Sequence, residues 1–167
     1  MKTLFSLMLI LAFGATAALA DSDRYGDKRD KYSGENRGKP VLPSQSNKIW
    51  KQECGSCHMA FAPGLLPAES WRKMMGGLDK HFGTDASLTT GENREITDFL
   101  VNNASNRWRA PSAPLRITET LWFQRKHDEL AAAVWKRASI KSPANCVACH
   151  SDADRGDFEE HRVRIPR

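Results

Sequence analysis

The sequence predicts a mostly α-helical protein built as two small units. Three observations carry that expectation. Apolar residues recur at three- and four-residue steps in both halves, strand-like alternation is scarce, and the proline-containing break "RWRAPSAPLR" separates two copies of one short cysteine–histidine pattern. Composition sets the boundaries: 1–20 as an export segment, 21–44 as a polar lead-in, 45–110 as a first unit and 111–167 as a second.

The chain of 167 residues opens MKTLFSLMLILAFGATAALA, with Lys2, an apolar run from Leu4 to Phe13 and small residues up to Ala20. That is the layout of a secretory signal peptide cleaved after Ala20, and its apolar run is shorter than the ~20 residues of a membrane-spanning helix. No later segment is apolar enough to span a bilayer, so no stable membrane insertion is expected. The formal charge is +5 at pH 7, and Lys2 is the only charge in the export segment. Basic residues are interspersed with acids, as in "DSDRYGDKRDKYSGENRGK", and form no dense patch with interleaved aromatics, so nucleic acid is not an expected partner. That same stretch has almost nothing to bury and reads as a mobile or extended lead-in.

In the first unit, "AESWRKMMGGLDKHFG" places Trp71, Met74, Met75, Leu78 and Phe82 on one helical face, with Pro67 before the first turn and Gly83 placed to stop the helix. A second helix is expected from about Gly91 to Asn103, burying Ile96, Phe99 and Leu100, with Thr90 as N-cap. Past the break, Leu130, Val134, Trp135 and Ala138 give another helical stripe, and the chain ends in the charged tail "EEHRVRIPR".

The four cysteines occur as Cys54-x-x-Cys57-His58 and Cys146-x-x-Cys149-His150. In an exported chain, disulfides, zinc and covalent haem compete for such pairs. Four thiolates around zinc need no histidine, and a redox CxxC pair belongs in an α/β pattern. Covalent c-type haem uses every residue. The thiols of Cys54, Cys57, Cys146 and Cys149 add to porphyrin vinyl groups, and His58 and His150 become proximal iron ligands. Two covalently bound haem c groups (iron) are therefore expected. Each also supplies an apolar face on which short helices can pack, with Trp71, Phe82 and Phe99 in the first unit and Trp122, Phe123 and Trp135 in the second as candidates either for the haem pockets or for ordinary core.

The sixth ligands decide whether each iron is closed for electron transfer or open to small molecules. The remaining histidines are His81, His127 and His161, and Met59, Met74 and Met75 lie near the first motif. His81 shares the face of the first helix that must bury, or else is an exposed histidine at a helix C-terminus. Met74 and Met75 would raise the potential but also suit plain packing, while Met59 directly follows the proximal histidine and is badly placed to reach the opposite face. His127, beside the helix preceding the second motif, is better placed than His161, which lies in the charged tail.

Through "CGSCHMAFAPGLLPAESWRKMMGGLDKHFGTDASL", "ITETLWFQRKH" and "SPANCVACHSDADRGDFEE", the chain resembles the bacterial periplasmic dihaem cytochrome c family over about residues 45–167. The resemblance implies two small cytochrome c-like haem domains, the first similar to a class I cytochrome c, each haem held by two histidines. On the matching positions, His81 completes the first site and His127 the second. Leu121 stands where the family pattern "TETPWF" has proline. The resemblance further implies a periplasmic electron-transfer protein with no catalytic residues, whose partners are other redox proteins, including a small oxygen-binding monohaem cytochrome. A haem enzyme (dihaem peroxidase or reductase) or a gas or redox sensor, with one open iron, is the alternative.

Overall fold

Asn47 starts the first helix, α1 (Lys48–Gly55). Its side chain accepts a hydrogen bond from the Trp50 backbone N–H at 2.7 Å, satisfying one of the donors a helix start leaves unpaired. The computed structural model describes residue 43 and residues 46–105 and 113–167. The expected export segment, nearly all of the polar lead-in and most of the proline-containing break lie outside the described residues. Both cysteine–histidine motifs fall in one compact unit, Arg37–Arg167. Among the described residues there is no strand beyond an isolated bridge between His81 and Thr84, as the scarcity of alternation predicts.

Helix α2 (Ala68–Met75) begins after extended Pro67, carries Glu69 in its first turn and Arg72 and Lys73 in its last, each sign complementing the helix dipole. It stops at Gly76, well before the expected Gly83. Gly76 and Gly77 have the lowest helix propensity after proline. Asn93 Nδ2 also donates to the freed Met75 carbonyl at 3.0 Å, so ending there leaves that acceptor satisfied. A 3-10 turn (Leu78–Lys80) follows, and His81 lies beyond it on a tight turn rather than on the helix face. Phe82 and Gly83 take φ of 49° and 96° in this turn, so the glycine serves it and not the helix end.

Helix α3 (Thr90–Asn102) is capped by Thr89, one residue earlier than expected. Thr89 accepts from the Glu92 N–H while Glu92 accepts from the Thr89 N–H, a reciprocal capping box that Thr90 could not form with Asn93. Ile96 and Leu100 face α2, and with Trp50, Leu66, Trp71 and Met75 they form the main core cluster. Trp71 Nε1 donates to the Pro63 carbonyl at 2.8 Å, which lets an indole sit in that core with its polar atom paired.

After residue 113 the chain forms a 3-10 turn (Ile117–Glu119) and then α4 (Leu121–Lys126), capped by the Thr120 hydroxyl. The expected stripe from Leu130 to Ala138 is not one helix. His127 ends α4, and only the four-residue α5 (Ala132–Trp135) follows, with no buried residue. Helices this short lack the packing that offsets nucleation cost. The charged C-terminus is ordered against this half. Arg164 N–H donates to the Cys149 carbonyl at 3.0 Å, Arg137 Nη1 to the Pro166 carbonyl at 2.8 Å, and Lys126 pairs with Glu160 at 2.7 Å.

Candidate haem sites

Cys54 lies in the last turn of α1, and Cys57 and His58 sit in the turn beyond it, exposed. Cys146 opens a 3-10 turn (Cys146–Ala148) that delivers Cys149 and His150. The four thiols form no disulfide, and among the described residues no three of His, Cys, Asp and Glu cluster as around a bare metal ion. Burial, aided by the neighbouring Glu53 carboxylate, pushes the Cys54 thiol up to about 11. Burial likewise pushes Cys146 to about 11 and raises Cys149. Burial of this kind suits a sulfur that ends as a neutral thioether.

Opposite each motif histidine the fold places a second one. The rings of His58 and His81 have centroids 6.1 Å apart and planes 25° apart, and those of His127 and His150 are 6.2 Å and 79° apart. Rings stacked face to face lie closer, as Phe123 and His127 do at 4.1 Å. A metal–imidazole bond of about 2 Å to each ring, added to ~1.1 Å from ring nitrogen to centroid, separates two trans imidazoles by about 6 Å. Both gaps therefore have the width for one iron between two histidines.

The ring nitrogens agree with this use. His58 Nδ1 lies 2.7 Å from the Met59 carbonyl and His127 Nδ1 lies 2.8 Å from the Phe123 carbonyl. A carbonyl can only accept, so Nδ1 carries the proton and Nε2 keeps its lone pair for a metal. Burial, then the facing His58, then Arg116 hold His81 below its ordinary value; burial and the facing His127 do the same for His150. Neutral imidazole is the ligating form. His81 Nδ1 is buried without a partner among the described residues, the kind of orphaned atom that marks a functional site.

His161 is not brought to either gap. Its side chain is 75% exposed and pairs with Glu159 at 3.3 Å, even though the tail around it is held in place. Met75 belongs to the core and Met74 packs against it; Met59 contributes its carbonyl to His58. Of the aromatic candidates, Trp71 and Phe99 serve the core. Phe82 lies edge-on to His81 at 4.9 Å, while Phe123 stacks on His127 and Trp135 lies 5.7 Å from it. Trp122 meets Phe123 edge-on at 6.1 Å.

Three neighbours escape the sequence reading. Phe61 packs on His58 at 5.0 Å, Phe158 on His150 at 5.3 Å, and Arg116 lies over the Phe82 ring at 4.0 Å. Phe61 follows His58 by three positions, a proximity legible in "CHMAF"; nothing in the local sequence points Phe158 back at His150.

The family model for dihaem cytochrome c matches residues 50–158. The chain is similar to the solved dihaem cytochrome c of Rhodobacter sphaeroides at 41% identity and a TM-score of 0.62, covering 68% of this chain and 97% of that one. A second structure of the protein purified from the same organism matches at 43% identity and a TM-score of 0.61, over 68% and 98%. The dihaem c-type cytochrome of Shewanella baltica OS155 matches at 39% identity and a TM-score of 0.65, over 72% and 93%. No curated protein matches.

Proposed function

The chain belongs to the dihaem cytochrome c family and carries two covalently bound haem c groups, and on that premise we propose that it is an exported, periplasmic electron carrier in which histidine pairs close both irons. The observation that carries this reading is the presence of two separate histidine pairs, each spaced for one iron, at 6.1 and 6.2 Å. Bound haem supplies one-electron chemistry between ferric and ferrous iron. The protein's part would be to hold each haem iron with one pair, His58 with His81 and His127 with His150, which would leave no position for a substrate. Cys54 with Cys57, and Cys146 with Cys149, tether each ring beside its own pair.

Two histidines without methionine favour low potentials, because the axial methionine is what raises potential in other c-type cytochromes. The partners are other redox proteins, among them a small oxygen-binding monohaem cytochrome. No helix among the described residues is long and apolar enough to cross a membrane, which fits a carrier that meets its partners by diffusion. Optical spectra of the holoprotein with and without carbon monoxide test the proposal. Two low-spin haems that do not bind carbon monoxide when reduced are expected. A high-spin fraction or a carbon monoxide adduct would overturn it in favour of a haem enzyme or sensor with one open iron.

A further inference from the structure

The two histidine pairs match in separation but differ in orientation, with ring planes 25° apart at the first site and 79° apart at the second. We infer that these orientations make the two haems electronically unlike, and that Phe158 is the positioning residue that keeps the second pair crossed. The inference rests on the reading that His58, His81, His127 and His150 are the iron ligands.

At the second site His127 is held twice, by its Nδ1 hydrogen bond to the Phe123 carbonyl and by stacking face to face on the Phe123 ring, planes 23° apart. The crossing angle is then set by His150. Its neighbour Phe158 meets it edge-on, planes 65° apart. Phe158 follows a tightly closed turn. Gly156, at φ 72°, occupies the left-handed region where a side chain would add strain. The Asp157 N–H donates to the Asp152 carbonyl at 3.1 Å, and Arg162 reaches the carboxylates of both Asp152, at 3.1 Å, and Asp157. With the turn tied at both ends, the Phe158 ring, edge-on to His150 at 5.3 Å, is the wall that opposes rotation of His150 toward the His127 plane. The corresponding wall at the first site, Phe61, lies only 35° from the His58 plane and permits the near-parallel arrangement.

The electronic consequence follows from where imidazole donates. Its π density lies perpendicular to its ring, so parallel rings act on the same member of the iron's dπ pair and split that pair, whereas crossed rings act on one member each and leave the two nearly equal. Low-spin ferric iron has a vacancy in this pair and gains from the splitting; ferrous iron fills both orbitals and does not. Ligand orientation is thus a lever on potential alongside ligand identity. It favours ferric iron at the first haem and biases an arriving electron toward the second. A nearly equal pair also keeps a large orbital moment, which makes the ferric EPR signal strongly anisotropic.

The test is EPR of the oxidised holoprotein, with potentiometry, for the unsubstituted chain and for Phe158→Leu and Phe158→Tyr. We expect one rhombic and one strongly anisotropic low-spin signal, the latter absent in His127→Ala. Phe158→Leu should turn the anisotropic signal rhombic and lower the potential of that haem alone, and Phe158→Tyr, which keeps the ring, should preserve both. Two rhombic low-spin signals from the unsubstituted protein would overturn the inference while leaving histidine ligation intact, as would a Phe158→Leu spectrum identical to the parent's. A high-spin or methionine-ligated signal would sink the ligand assignment and the inference together. The parent spectrum decides the orientation even if Phe158→Leu fails to mature.

Discussion

The two halves bring histidines to the same separation by different means. Residues 46–105 hold six buried residues in a single cluster, Trp50, Leu66, Trp71, Met75, Ile96 and Leu100, and His81 is presented from a turn at its edge. Residues 113–167 have Phe123, Ile140 and Ala153 as their buried hydrophobic side chains, with short helices, 3-10 turns and a hydrogen-bonded C-terminal strap around them. Leu121 and Val147 stay exposed there. The first half has a protein core beside its histidine pair; the second has few apolar side chains of its own to pack on, and a haem held there would supply the missing apolar face. A prosthetic group can thus replace a hydrophobic core where helices are too short to build one.

The sharpest way to break this comparison is to remove the tethers. Cys146→Ser with Cys149→Ser should leave one haem in the mature protein and expose residues 113–167 to proteolysis. Cys54→Ser with Cys57→Ser should also leave one haem but keep α1, α2 and α3 largely protease-resistant. Intact mass and limited proteolysis measure both, and equal protease sensitivity in the two halves would refute the contrast.

Next in size are the ligand substitutions. His81→Ala should open the first iron alone and His127→Ala the second alone, each giving a high-spin, carbon monoxide-binding haem. His161→Ala should change neither spectrum, since that side chain is exposed and turned to the Glu159 carboxylate at 3.3 Å. An open second haem in His161→Ala would contradict the site described above.

Packing substitutions should have smaller effects. Ile96 and Ile140 are both fully buried. Ile96→Ala should cost about 2–5 kcal/mol because the helices around it cannot collapse into the cavity, whereas Ile140→Ala, among turns that can adjust, should fall toward the lower end. Denaturant titration of the holoprotein gives the order, and a larger loss at Ile140 would show the second half to be the better packed.

Surface and cap changes should be smallest. Thr89→Ala removes one side of the α3 capping box and should cost about 1 kcal/mol. Lys126→Ala removes an exposed ion pair to Glu160 at 2.7 Å, with side chains 56% and 81% exposed, and should cost from about 0 to 1 kcal/mol. The same titration ranks them, and a larger loss from Lys126 would give the strap a greater share in stability than its exposure suggests.

The attachment chemistry was legible because it is local. Cys54, Cys57 and His58 carry their meaning within five positions, as do Cys146, Cys149 and His150, and so do the stripe through Ile96, Phe99 and Leu100 and the start of α2 at Pro67. The end of α2 is hidden in the sequence because Leu78 and Phe82 continue the apolar spacing past Gly76-Gly77. Periodicity cannot report that Asn93, eighteen positions away, takes the Met75 carbonyl. The cap at Thr89 rather than Thr90 is legible in Glu92 three positions on, the partner a capping box needs.

By itself the sequence determined the helical class, the two tether motifs and a short pool of possible ligands, since each depends on residues close together in the chain. The tertiary structure sets His81 opposite His58 and His127 opposite His150, the members of that pool the resemblance implied, and it alone decided how each is presented. His81 reaches His58 through a turn with Phe82 in the left-handed region, Phe158 returns to His150 through a turn tied by Arg162, and the C-terminal tail is ordered while His161 points away. The physical reason is that the separation and tilt of two rings are set by contacts between distant segments, and such contacts leave no period or spacing in the chain that makes them.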